Sequence, residues 1–208
     1  MSKQPRSDKP YEDTSAWNKH RQKVFISVVL VFTFLAFLPS LQNGFVNLDD
    51  QVNIYKNPHI LNISDWSSFL DSLVAIFSQP VVGNYNPLPI ASFAIEKMLF
   101  GLENPAWFHL NNILLHLVCT FLVFRIARAM RLDLLPAAVC ALLFGIHPMR
   151  VESVAWITER KDVLFGGFFL LAFYFYIKRV KSSFGKRYQA VILVSFILAL
   201  LAKIQAVT

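Results

Sequence analysis

The sequence predicts an all-α integral membrane protein, a multi-pass helical bundle with about five transmembrane helices. Of its 208 residues, 55% are hydrophobic and 20 are phenylalanine. Only 16% are charged, well below the share of a soluble globular domain. The apolar residues gather in long runs, and the basic residues cluster between alternate runs. A formal charge of +7 on a soluble chain would suggest nucleic acid. Here its placement points to a lipid bilayer and to no nucleic acid.

Residues 1–23 are polar, carry six Lys or Arg and read as a cytoplasmic basic tail. Residues 24–41 follow as an apolar run of 18 residues, enough to cross the hydrocarbon core at 1.5 Å per residue. A cleaved signal peptide would need a small-x-small pattern after Pro39-Ser40-Leu41, and none follows. The run therefore reads as an uncleaved first span. Residues 42–108 form a first outer loop containing nothing long enough to cross. Within it Trp66, Phe69, Leu70, Leu73 and Phe77 fall at helical spacing, with Ser64 or Asp65 placed to cap. Residues 89–100 begin at a proline suited to a helix start. Both segments are expected to be amphipathic helices lying along the membrane surface.

Further spans are expected at about 109–126, 134–146, 163–177 and 188–202, with a second outer loop at 147–162. A cytoplasmic N-terminus puts residues 1–23, 125–133 and 178–187 inside. These segments hold 14 of the 20 basic residues and 4 of the 13 acids, as the positive-inside rule requires. The same threading puts Asp49-Asp50 and the 147–162 loop together on the non-cytoplasmic face. A transporter would need ionisable residues near the middle of several spans, and apart from His116 they offer little of that.

Several motifs occur in order along the chain: Asn43-Gly44-Phe45-Val46-Asn47-Leu48-Asp49-Asp50, Tyr85-Asn86-Pro87-Leu88, Phe100-Gly101-Leu102, and Trp107-Phe108-His109-Leu110-Asn111 with Leu115-His116. They continue with His147-Pro148-Met149-Arg150-Val151-Glu152-Ser153-Val154-Ala155-Trp156 and close on Arg160-Lys161-Asp162. This ordered set resembles the N-terminal part of the transmembrane and tetratricopeptide-repeat O-mannosyltransferase family and its bacterial relatives. The resemblance runs over about residues 24–208, which would then be a partial GT-C-like transmembrane domain. It implies a membrane glycosyltransferase that moves a mannose-like sugar from a polyprenyl-phosphate donor to an acceptor hydroxyl on the non-cytoplasmic face. The acceptor would be Ser or Thr of a protein, and an acidic motif in the first outer loop would be needed for transfer. The chain departs from that family in having fewer spans and no 34-residue helix-pair repeats. The alternative is a truncated, catalytically inactive membrane scaffold or assembly subunit.

Transfer to a hydroxyl needs a base within hydrogen-bond reach, and Asp49 and Asp50 are the catalytic candidates. Adjacent side chains do not normally point the same way, so one carboxylate can act while the other caps a turn or helps hold a divalent cation. The leaving lipid phosphate calls for cations and donors. His147, Arg150, Arg160 and Lys161 are the candidates, with Glu152 beside them, and Arg150 and Arg160 rank first because guanidinium forks match phosphate oxygens. His109, Asn112 and His116 share one helical face and are expected to hydrogen-bond inside the bundle. Tyr85-Asn86-Pro87-Leu88 reads as a backbone-fixing entry to the second surface helix. Asn62-Ile63-Ser64 is a glycosylation sequon. Cys119 and Cys140 both read as small buried side chains. The charge rule is shared by bacterial inner membranes and the endoplasmic reticulum; a bacterial inner membrane is the reading favoured here.

Overall fold

A computed structural model describes residues 14–80, 85–180 and 185–207. Thirteen residues of the expected cytoplasmic tail, together with Lys181, lie outside the described residues. The fold is helical, and no strand occurs among the described residues.

Helix α1 (Thr14–Phe37) runs into a 3-10 turn at Leu38–Gln42, where Pro39 ends the regular helix. The 42–108 segment, expected as a loop, contains helices among its described residues. It holds a π-helical turn at Gln51–Tyr55, then α2 (Pro58–Leu61), α3 (Trp66–Ser78) and α4 (Pro87–Phe100). Local chemistry sets each start. Asn57 accepts from the His59 amide at 2.9 Å ahead of Pro58. Asp65 accepts from the Ser68 amide at 2.8 Å while the Ser68 hydroxyl lies 3.0 Å from the Asp65 amide, a reciprocal capping box. Helix α4 starts at Pro87, two residues earlier than expected, and ends at Gly101 with φ +75°, a conformation that favours glycine.

Helix α5 (Ala106–Ala129) starts after Pro105 and includes three residues assigned to the loop by sequence. A tight turn through Arg131 leads to α6 (Leu134–Ile146). The 147–162 segment is also structured: a 3-10 turn at Pro148–Arg150, α7 (Val151–Ala155), a second 3-10 turn at Ile157–Glu159, then α8 (Arg160–Val180). Helix α9 (Gly185–Ala202) contains the residues of the fifth expected span and packs along α8.

Among the described residues three helical stretches are long and apolar enough to cross a membrane: Asn18–Gln42, Ala106–Ala129 and Ile157–Val180. A fourth is added if Leu134–Ile146 and Pro148–Ala155, bent by 51° at His147, form one span. The chain is an all-α, multi-pass membrane protein.

Helix α5 is the centre, touching α1, α4, α6, α7 and α8. Three apolar clusters surround it. Val29, Phe124, Ala137 and Ala141 join α1, α5 and α6, while Phe37, Ile113, Cys119, Val154 and Val163 join α1, α5, α7 and α8. The largest cluster, with Ile54, Ile60, Phe69, Ile76, Phe93, Phe108 and Ile157, packs the segment between α1 and α5 onto the start of α5 and the 3-10 turn ahead of α8. Cys119 is buried as expected; Cys140 is not, because it lies on the outward side of α6.

Candidate functional site

The polar centre of the molecule is Arg160, the first residue of α8, with none of its surface exposed. Its Nη1 donates to Glu96 at 2.6 Å and to the Ser92 hydroxyl at 3.0 Å. Nε donates to Asn112 Oδ1 at 2.6 Å, and Nη2 to the Phe108 carbonyl at 2.9 Å. The guanidinium also lies 4.4 Å from the centre of the Phe93 ring. Glu96 takes a second donor, Asn111 Nδ2, at 2.8 Å. Burial pushes the Glu96 carboxyl up from its ordinary range, opposed by the Arg160 charge and these hydrogen bonds.

Arg160 ranked with Arg150 as the first phosphate-ligand candidate; here four of its five N–H donors are taken by α4 and α5, so it clamps α4 to the bundle. Asn112 extends the clamp, its Nδ2 donating to the carbonyls of Val154, Trp156 and Ile157 at 3.2–3.3 Å. His116 Nε2 lies 2.9 Å from the Gly145 carbonyl, which can only accept. His109, on the same buried face, makes no hydrogen bond of standard geometry through its ring nitrogens among the described residues.

The adjacent aspartates Asp49 and Asp50 differ sharply. Asp50 is fully buried. Its Oδ2 accepts from the Val46 amide at 2.8 Å; its Oδ1 accepts from the Thr158 amide at 3.0 Å and from the Thr158 hydroxyl. The side chain of Asp49 is 52% exposed and stands 3.9 Å from Lys161 Nζ, which also pairs with Glu159 at 2.8 Å. The pair does not suit a divalent cation: both Asp50 oxygens face N–H or O–H donors, and Asp49 faces an ammonium group. Among the described residues no group of three or more His, Cys, Asp or Glu side chains could hold a metal ion.

Two clefts flank this region. A polar one of about 530 Å³ is lined by Tyr85, Asn86, Glu159, Lys161, Lys203 and Gln205. The other, of about 370 Å³, has a floor of Phe144, Phe165, Phe169 and Leu170, with Arg150, Asp162, Lys203 and Gln205 at its edge. Lys203, in ion-pair contact with Asp162, borders both. Arg150 lies over the Phe144 ring at 4.7 Å. Of the other candidates, His147 is exposed and accepts from the Met149 amide at 3.2 Å, and Glu152 is exposed on α7. Neither borders these clefts. Lys203 and Thr158 escaped the sequence reading: one follows the last apolar run, and the other is a lone threonine in a charged segment.

The chain is 28% identical over 200 residues to Protein O-mannosyl-transferase Tmtc1 of Drosophila melanogaster, covering 93% of this chain and 23% of that protein. It is 31% identical over 151 residues to Drosophila Tmtc2, covering 71% of this chain and 16% of that protein. It is 35% identical over 147 residues to human TMTC1, covering 68% and 16% respectively. The chain is homologous to this family of protein O-mannosyl-transferases. It spans less than a quarter of the length of these three relatives. No family model matches the chain, and no solved structure matches it. These three relatives are animal proteins and give no support to a preference for a bacterial inner membrane.

Proposed function

We propose that this chain is a membrane part of a glycosyltransferase that moves a mannose-like sugar from a polyprenyl-phosphate donor to an acceptor hydroxyl, Ser or Thr of a protein. Transfer takes place on the non-cytoplasmic face, with the N-terminus and the α5–α6 turn in the cytoplasm, as the clustering of basic residues supports. The observation that carries the reading is the division within the aspartate pair. Asp50 is consumed by protein donors, which leaves Asp49 half-exposed and 3.9 Å from Lys161, a residue that lines the polar cleft.

In this mechanism the acceptor oxygen attacks the anomeric carbon and forms the new glycosidic bond. The bond from that carbon to the phosphate oxygen breaks, and its electron pair leaves with the lipid phosphate. Asp49 takes the acceptor hydroxyl proton as general base. The cleft with the phenylalanine floor suits the first isoprenoid units, and Arg150 and Lys203 at its edge offset the charge that develops on the leaving phosphate.

The test is transfer of labelled sugar from a synthetic polyprenyl-phosphate donor by the full-length protein in detergent or vesicles. Asp49→Asn is expected to abolish transfer while leaving membrane insertion intact. Unchanged transfer in that variant would remove Asp49 from the mechanism, and no transfer by the unaltered protein with any polyprenyl-phosphate sugar would favour a scaffold.

A further inference from the structure

The buried carboxylate of Asp50 links two segments far apart in sequence. One of its donors is local: the Val46 amide closes the turn that carries the acidic pair. The other two, the amide and hydroxyl of Thr158, come from 108 residues away. Thr158 is itself buried, in the 3-10 turn Ile157–Glu159. That turn is rigidly seated. Ile157 lies in the outer apolar cluster, the carbonyls of Val154, Trp156 and Ile157 are held by Asn112, and Asn112 is held by Arg160. The same four residues, 158–161, therefore supply both the anchor for Asp50 and, in Lys161, the cation beside Asp49.

We propose that Thr158 is a positioning residue for Asp49, acting through Asp50. The proposal rests on the reading of Asp49 as the base of sugar transfer. Asp50 starts the π-helical turn Gln51–Tyr55, so fixing its carboxylate fixes the backbone from which Asp49 projects. Thr158 borders neither cleft and makes no claim on substrate. Its hydroxyl removes one degree of freedom from the acidic loop. An activated hydroxyl has to meet its base within hydrogen-bond reach, and a displacement of about 1 Å can cost a hundredfold in rate.

The experiment measures kcat and KM for a polyprenyl-phosphate sugar in the full-length protein, with melting temperature in detergent as control. Asp49→Asn is measured first: if it still transfers sugar, the reading of Asp49 fails, whatever Thr158 does. With Asp49→Asn inactive, Thr158→Val is expected to lower kcat by about 10- to 100-fold with KM held within about twofold. Thr158→Ser, which restores the hydroxyl, is expected to recover most of the loss. Thr158→Val combined with Asp50→Asn should be no slower than the slower single variant, because both cut the same link. Wild-type kcat in Thr158→Val overturns the proposal. So do additive losses in the double variant, and so does a melting temperature that falls with kcat and is not restored by serine.

Discussion

The Arg160 guanidinium and the Glu96 carboxylate meet at 2.6 Å with side-chain exposures of 0% and 5%. The pair joins α4 to the first turn of α8. A buried pair of this kind adds little net stability relative to apolar residues of the same shape, but breaking it leaves a charge with no partner. Glu96→Ala is therefore expected to destabilise the protein by about 3–5 kcal/mol, measured by thermal or denaturant unfolding in detergent. Arg160→Lys is expected to behave nearly as badly, since one ammonium group cannot reach Glu96, Ser92, Asn112 and the Phe108 carbonyl together. A melting temperature unchanged in both would show that α4 and its neighbours are held by their apolar cluster alone.

Much of the architecture was legible because the bilayer makes its demands locally. Apolar runs and the basic clusters beside them identify helices from composition, and α6 has the bounds that its apolar run suggested. The limits of α5 and α8 were not legible. The first turn of α5 carries Ala106, Trp107 and Phe108, and that of α8 carries Arg160, Lys161 and Asp162, residues that look like loop; Glu96, Asn112 and Lys203 pair with two of the α8 residues. Ser92 and Glu96, four residues apart on the mainly apolar α4, were the available signal that a buried cation lay elsewhere. The asymmetry of Asp49 and Asp50 was half legible: adjacency argued against a dyad, but which carboxylate turns inward depends on Thr158, and no local pattern reveals that.

The phenylalanine-floored cleft makes a kinetic prediction. Arg150 and Lys203 both line it, one ahead of α7 and the other past α9. If both face the donor phosphate, Arg150→Ala and Lys203→Ala should each raise KM for the polyprenyl-phosphate sugar about 10- to 100-fold, the equivalent of losing one charge-assisted hydrogen bond. Arg160→Met, by contrast, should act through stability. Donor titrations of each variant at constant acceptor check this, and a KM unchanged in both cleft variants would place the phosphate elsewhere.

Close packing of α1, α5 and α6 makes a prediction independent of catalysis. A Cβ on Gly145 would fall inside van der Waals contact with the Thr33 hydroxyl and within 3.1 Å of a Thr120 methyl. Thr33 cannot easily yield, because its hydroxyl donates to the Val29 carbonyl at 2.9 Å. Gly145→Ala should cost about 1–3 kcal/mol by overpacking. Adding Thr33→Ala should recover part of that loss, giving a favourable coupling in a double-mutant cycle read from unfolding in detergent.

The capping box of α3 predicts a local response to acid. The Ser68 amide and hydroxyl hold the Asp65 carboxyl below the ordinary value of 3.8. A carboxylate with a lowered folded-state pKa contributes stability that is fully present above 3.8 and is lost as pH falls through the folded value. The first turn of α3 should therefore be protected from amide hydrogen exchange at neutral pH and fray below about pH 4, after correction for intrinsic exchange rates. Asp65→Ala should show the frayed pattern at every pH, and Asp65→Asn, which keeps a capping oxygen without the titration, should remain protected with no acid transition. Because the box is fully exposed, the change should be confined to the start of α3 and leave the melting of the bundle where it was. An acid transition that survives in Asp65→Asn would assign the fraying to another group.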